Sequence, residues 1–331
     1  MTDATADKGQ EKAGRNQWWD VWDQFRQHRG ATISLWILLG IFIFVLLGPM
    51  IWPWDPEKSD PRARNTWALW SCFGEPTVGT WSCLFPGEGK PPIKVDWWHP
   101  LGTDQLGRDN LARLMFGGRV SLAVGLVAMG LAVFLGTLIG VLAGYFRRLD
   151  GVLMRLTDLF LALPLLPLLL VLVSLYRDSL SRQLGPELGA FVLIVCAIGA
   201  TSWMATSRIV RGEVLGLKER EFVLAARSIG TSPGKMILRH IIPNVISPVM
   251  VAAALGIAGA IITESVLSFL GQGFPPGFPT WGALLFEQIH NLELYPARVL
   301  LPGLLISLTV LSVNYIGDGL RDALDPKIRG R

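Results

Sequence analysis

Charge is scarce in this chain of 331 residues: Asp, Glu, Lys and Arg supply 17% of it and hydrophobic residues 51%, for a mean hydropathy of +0.43. So little charge is out of line with a soluble domain of ordinary composition, and membrane residence is the first inference. Histidine is scarcer still, and His28, His99, His240 and His290 stand at no metal-ligand spacing. No nucleophile, base and orienting acid occur in a recognisable arrangement, so catalysis by this chain is not expected. A nucleotide site is missing as well. The run Gly-Thr-Ser-Pro-Gly-Lys-Met from Gly230 to Met236 superficially suggests a phosphate-binding loop. That motif has four residues between its glycines and a Ser or Thr after the Lys; this run has three and a Met. No tandem repeat is evident.

What the chain does have is long apolar runs. A membrane-spanning helix needs roughly 20 mostly apolar residues. Six windows free of Asp, Glu, Lys and Arg meet or approach that length: Gly30 to Trp54, Val120 to Phe146, Leu159 to Tyr176, Leu188 to Ser207, Ile241 to Thr263 and Val299 to Gly317. Six such runs cannot all fit inside one small soluble core, so an all-α membrane protein of six transmembrane helices is expected. The first window is too long for a signal peptide and runs into Gly48, Pro49 and Trp52, so it reads as an uncleaved anchor.

Lys and Arg accumulate on the cytoplasmic side of short loops. Basic residues cluster before the first window (Lys8, Lys12, Arg15, Arg26, Arg29) and after the second (Arg147, Arg148, Arg155). They cluster again between Arg208 and Arg239, and at Arg321, Lys327, Arg329 and Arg331. The opposite short loops carry only Arg177, Arg182 and Arg298. Both termini therefore read as cytoplasmic. The net charge of +4 and pI near 9.1 come mainly from these membrane edges, so lipid, not nucleic acid, is the expected anionic partner.

The chain divides accordingly. Residues 1–30 form a polar cytoplasmic tail in which Trp18, Trp22 and Phe25 recur at helical spacing, the pattern of an interfacial helix. Residues 31–54 are the anchor. Residues 55–119 form an outer loop whose prolines forbid long helices, becoming helical only around Asp109 to Phe116. Residues 120–317 hold five more spans, with a cytoplasmic loop at 208–240, and 318–331 are a cytoplasmic tail. In the outer loop Cys72 and Cys83 each close a Trp-Ser-Cys triplet, and an oxidising compartment would permit them to pair; a disulfide and two free thiols both stay open. The third cysteine, Cys196, falls mid-membrane, where inert packing is expected. Gly136, Gly140 and Gly144 make a smooth stripe for close helix packing. Pro164, Pro167 and Pro302 permit bends. Glu264, near the outer end of the fifth window, is the most notable intramembrane charge; path lining and structural pairing are both open.

The cytoplasmic loop is the most structured connection. Glu219 and Glu221 suit the positive end of a helix dipole and Gly230 is the expected stop, so a short helix spans about Glu219 to Ile229. Ser232 then caps a second helix with Pro233 at its first position. The result is a stiff elbow, with small Ala225 and Ala226 and apolar Phe222 and Ile229 suited to a groove on another protein or to the membrane surface.

The stretch from Glu221 through Ala225, Ala226, Arg227 and Gly230 to Pro243 and Asn244 resembles the EAA loop of binding-protein-dependent ABC importer permeases. The Ala pair, the Gly four residues later and the Pro thirteen beyond it match; Leu224 stands where that family has Glu, with Glu221 one turn earlier. His99-Pro-Leu-Gly-Thr-Asp-Gln-Leu-Gly-Arg-Asp109, the segment from Glu264 to Gly271, and Gly317 to Pro326 are similar to dipeptide and oligopeptide (DppC/OppC-like) permeases. Residues 65–98 look like an insertion. The resemblance implies an anchor plus a five-helix MetI-like permease core in a bacterial inner membrane. It also implies a second homologous permease, two ATPase subunits that hold the ATP and Mg, and an extracytoplasmic substrate-binding protein, with no cofactor on this chain. Glu221, Phe222, Leu224, Ala225, Ala226, Arg227 and Gly230 would contact the ATPase, and Glu264 is a candidate for the path. Peptides are the expected cargo; nickel chelates, glutathione or oligosaccharides are alternatives within the same machinery. An ion-driven secondary transporter is the reading from another class, but the halves show no repetition.

Overall fold

Where lipid offers no hydrogen bonds, a backbone must satisfy its own, and the apolar runs accordingly fold as helices. The computed structural model describes residues 17–69, 71 and 95–324. Cys72, Cys83, most of the 65–98 insertion, the basic residues before position 17 and those after 324 lie outside this range, as does the side chain of Trp18.

The elements run in order as α1 (Gln17–Gln27), α2 (Arg29–Ile51), α3 (Asn110–Tyr145), α4 (Arg147–Ala162), α5 (Leu165–Leu184), α6 (Pro186–Lys218) and α7 (Glu221–Ser228). A short α8 (Pro233–Met236) passes through one π turn (Ile237–Ile241) into α9 (Ile242–Phe269), followed by α10 (Trp281–Gln288) and α11 (Pro296–Leu324). The π turn has a local cause: Pro243 has no N–H to donate, and Ile242 reaches back five residues to the Ile237 carbonyl. Five of these rods are long and apolar enough to cross a membrane, and the count rises to six where the bent pair α4–α5 is taken as one broken span and not as a re-entrant loop.

Three boundaries differ from the sequence expectation. The third window, Leu159 to Tyr176, is not one rod: α4 and α5 meet at 88° across Leu163 and Pro164. The outer loop ends at Asp109, ten residues before Arg119, because the Asp109 carboxylate accepts from Ala112 N–H at 2.7 Å and caps α3. Arg113 and Arg119 therefore lie inside a helix, Arg119 reaching the Val45 and Leu46 carbonyls of α2. The connection expected at 208–240 shrinks to residues 219–232, with α7 inside it, since α6 continues to Lys218 and α8 starts at Pro233.

The glycine stripe lies where α3 and α6 run closest. A Cβ on Gly136 would come 2.7 Å from the Trp203 carbonyl, and one on Gly140 2.6 Å from that of Ser207. A Cβ on Gly144 would meet Val214 at 2.7 Å, so only glycine lets the two backbones approach along three turns. Around this pair, Leu169 of α5 packs on Ala190, Ile194 and Ile198 of α6 with Leu267 of α9. Val45 of α2 and Leu122 of α3 enclose Trp281 of α10 with Ile261. At the other end, α1 buries Val21 and Phe25 against Ala31 and Ala323, leaving Trp19 and Trp22 exposed. Phe25 thus packs inward instead of sharing the interfacial stripe with Trp22, although the two rings stack at 5.8 Å. Cys196 is exposed on α6 and is not packed within the chain.

Candidate functional site

The elbow is held from below and open above. In α7, Val223 and Ala226, three residues apart and so on one face, are buried with Val141, Val210, Val214 and Met236. Glu221 sits in the first turn and Arg227 in the last, each at the helix end whose dipole favours it. The opposite face is exposed: Phe222 at 45%, Leu224 at 44% and Ile229 at 85%, with Ala225 between Phe222 and Ile229 on one stripe. Of the seven sequence candidates, six are therefore on the outside and Ala226 faces the bundle.

Gly230 ends α7 at φ +83°. Its N–H reaches the Arg227 carbonyl at 3.0 Å and the Thr231 N–H reaches Ala226 at 3.1 Å, a paired closure that requires the left-handed conformation at the glycine. Below α7, Lys218 donates to the Gly144 carbonyl at 2.9 Å, tying the end of α6 to the end of α3. Arg211 grips both oxygens of Asp150 at 2.5 and 2.8 Å, and Arg208 pairs with Asp158, fastening α6 to α4. Leu224 and Arg227 line a cleft of about 860 Å³ with Arg147, Arg148, Lys218 and Glu219.

Glu264 lies far from the elbow and is fully buried. Ser268 donates to its Oε1 at 2.7 Å, and the hydroxyls of Ser121, Thr280 and Ser265 surround the carboxyl group. Oε2 has no hydrogen-bond partner among the described residues. Within this chain the Glu264 carboxyl is enclosed by hydroxyls of α9, of α3 and of the residue that opens α10. Glu264→Gln, which keeps an acceptor and adds a donor, is expected to leave the amount of subunit in the membrane unchanged. Glu264→Leu strands buried hydroxyls at about 1–3 kcal/mol each and is expected to lower it several-fold, as read by immunoblot of membrane fractions.

Sequence reasoning missed a charged clamp at the end of the bundle away from α7. Asp104 Oδ2 accepts from Arg108 Nε at 2.6 Å and from Arg113 Nη1 at 3.0 Å. Arg113 also reaches Glu287 of α10 at 2.8 Å and the Gly277 carbonyl at 3.2 Å, and Arg108 joins both. Beside it, His99 Nδ1 lies 2.6 Å from Asp109 Oδ2, and Asp109 accepts from Trp52 Nε1 at 3.2 Å. The only sequence signal was the spacing of Asp104, Arg108, Asp109 and Arg113 on a stretch otherwise poor in charge.

Residues 132–330, from within α3 to the last residues of the chain, match the family model described as binding-protein-dependent transport system inner membrane component. The chain belongs to this family. Residues 16–68, covering α1, α2 and the start of the outer loop, match the N-terminal TM domain of oligopeptide transport permease C. Among curated relatives, the oligopeptide transport system permease protein OppC of Haemophilus influenzae is 38% identical across 96% of this chain and 90% of its own length. OppC of Escherichia coli K12 is 38% identical across 96% and 94%. The dipeptide transport system permease protein DppC of Bacillus subtilis is 33% identical across 94% and 86%. A structure of the inward-facing MetNI methionine ABC transporter shares the fold at a TM-score of 0.51 and 16% identity, covering 64% of this chain and 97% of that one. This OppC/DppC-like permease is a multi-pass inner-membrane subunit of a bacterial ABC importer and a non-catalytic component of it. The interval between the two family segments holds the clamp residues Asp104, Arg108 and Arg113.

Proposed function

We propose that this subunit forms half of the translocation path of an ATP-driven oligopeptide importer, closed by a second homologous permease. Two ATPase subunits, which carry the ATP and Mg, dock on α7 from the cytoplasm, and a substrate-binding protein delivers cargo to the outer face. Both termini lie in the cytoplasm, on the side where Arg208, Arg211, Lys218, Arg220 and Arg227 gather around the elbow. Trp19 and Trp22 of α1 rest in the lipid interface.

The observation that carries the reading is the two-sided α7. One face, Val223 and Ala226, is locked into the bundle, while Phe222, Ala225, Ile229 and Glu221 stand free at the end of a stiff elbow. An amphipathic helix with its inner face already satisfied offers its outer face to a groove. Closure of the ATPases then moves α7, and the Lys218 and Arg211 attachments carry that motion into α3, α4 and α6, which is what differential contact between two states requires. The oligopeptide cargo follows the relatives' names.

Reconstitution with the partner subunits and binding protein tests this. Labelled oligopeptides are expected to accumulate in vesicles only with ATP and the binding protein, and vanadate is expected to stop uptake. Uptake driven by an ion gradient and indifferent to vanadate would sink the reading. A binding protein that retains a nickel chelate, glutathione or an oligosaccharide in place of peptide would overturn the cargo alone.

A further inference from the structure

Two concavities at the α7 end of the bundle meet end to end, one apolar and one cationic. The apolar one is a groove of about 510 Å³ along α3, walled on its other side by Ile237, Leu238 and Ile242, where the π turn leads into α9. No charged residue lines it, and Phe134, Leu138 and Leu238 stand exposed along it. Both walls belong to helices long and apolar enough to cross the membrane. From Gly130 to Leu142 the groove follows about 18 Å of helix, close to the half-thickness of a bilayer's hydrocarbon core.

The cationic one is the cleft of about 860 Å³ beside α7, and its walls continue those of the groove. On α3, Val141 and Leu142 line the groove, and Tyr145 and Phe146, four residues on and so on the same face, line the cleft. On the other wall, Met236 of the cleft immediately precedes Ile237 of the groove. Tyr145 is of the residue type that gathers at the membrane surface. Arg147, Arg148, Lys218 and Arg227 line the cleft; of its two carboxylates, Asp150 is gripped through both oxygens by Arg211, which leaves Glu219 against four cations. Lys218 donates to the carbonyls of Gly144 and Tyr145, and Arg147, Arg148 and Arg227 form no ion pair among the described residues. Residues 1–16 and 325–331 hold four Asp and Glu side chains against six Lys and Arg, so the two tails bring no excess of negative charge to answer these cations.

We propose that groove and cleft together bind one anionic phospholipid, an acyl chain lying along α3 and the phosphodiester among Arg147, Arg148 and Lys218. A basic pocket between spans at the membrane edge suits such a headgroup. A free phosphate would use the cleft and leave the groove empty, whereas an apolar helix of another subunit would fill the groove and bring no charge to the cleft. The inference rests on membrane residence and not on the coupling role of α7.

The test uses the purified membrane complex in phosphatidylcholine nanodiscs. Phosphatidylglycerol carrying a photoactivatable group on an acyl chain is expected to label residues 130–142 and 237–242. Its yield there is expected to exceed that of equally doped photoactivatable phosphatidylcholine at least about fivefold, which is the worth of one basic residue beside an anionic head. Replacing Arg147→Gln and Arg148→Gln together removes two exposed charges and is expected to bring the two lipids near parity. Excess inorganic phosphate is expected to leave the labelling unchanged. Equal labelling of the unaltered protein by both lipids, as in an ordinary lipid shell, overturns the proposal. So does the absence of label from either, the result of a second subunit seated in the groove, and so does displacement by phosphate. The comparison of the two lipids on the unaltered protein decides even if the double variant fails to assemble.

Discussion

Gly230→Val is expected to reduce ATP-dependent uptake at least tenfold while the subunit still reaches the membrane and ATP is still hydrolysed. At φ +83° a side chain is disfavoured by roughly 1–2 kcal/mol, and a β-branched one by more. Nothing stands within 4 Å of a Cβ placed there, so the cost comes from the backbone and not from a collision. The chain can relieve it only by leaving the left-handed region, which breaks the closure of Gly230 on Arg227 and of Thr231 on Ala226. The last turn of α7 then frays, and the elbow that should transmit the ATPase stroke bends instead. Gly230→Asn, which tolerates positive φ, is expected to retain most of the uptake and separates conformation from side-chain loss. The measurement is peptide transported per ATP hydrolysed in proteoliposomes. A valine variant with an unchanged ratio would remove Gly230 from the coupling mechanism.

The elbow was legible in the sequence because its signals are local. Glu221 at one end, Gly230 at the other and Ser232-Pro233 beyond are each decided by backbone chemistry within a turn or two. Which alanine faces inward was not, since that depends on Val141 and Val210 of distant helices packing against Ala226. The spans were legible from hydropathy except where charge is satisfied inside a helix. Arg113 and Arg119 broke the apolar run, so the membrane window was read from Val120 although helix was expected from about Asp109; both sit within α3 because acceptors on other segments meet them. At Pro164 the sequence announces a bend, but no local signal gives its 88° angle. The outer clamp was hidden for the same reason on a larger scale: Arg113 and Glu287 are 174 residues apart, and no pattern in one stretch reveals a partner in the other.

That hidden clamp carries the second large effect. Arg113→Met is expected to cost about 3–5 kcal/mol, because removing one partner of a buried ion pair leaves the others buried and uncompensated. Asp104 would keep Arg108 as its one cationic partner, Glu287 would lose two of its bonds, and the Gly277 carbonyl would lose one donor. Since Gly277 and Glu287 flank and belong to α10, that helix loses its charged attachment to α3 and keeps only the Trp281 contacts with Leu114 and Ser121, and the subunit is expected to fall to a small fraction of its normal membrane level. Arg113→Lys restores a charge but cannot reach two carboxylates and a carbonyl at once, so an intermediate level is expected. Arg208 and Asp158 provide the contrast. They pair at a comparable distance but are 52% and 60% exposed, and an exposed pair contributes at most about 1 kcal/mol. Arg208→Met should therefore leave the membrane level near normal. If immunoblots show the two variants equally depleted, distance and not burial sets the strength of these pairs, and the outer clamp loses its special standing as the element that fixes α10.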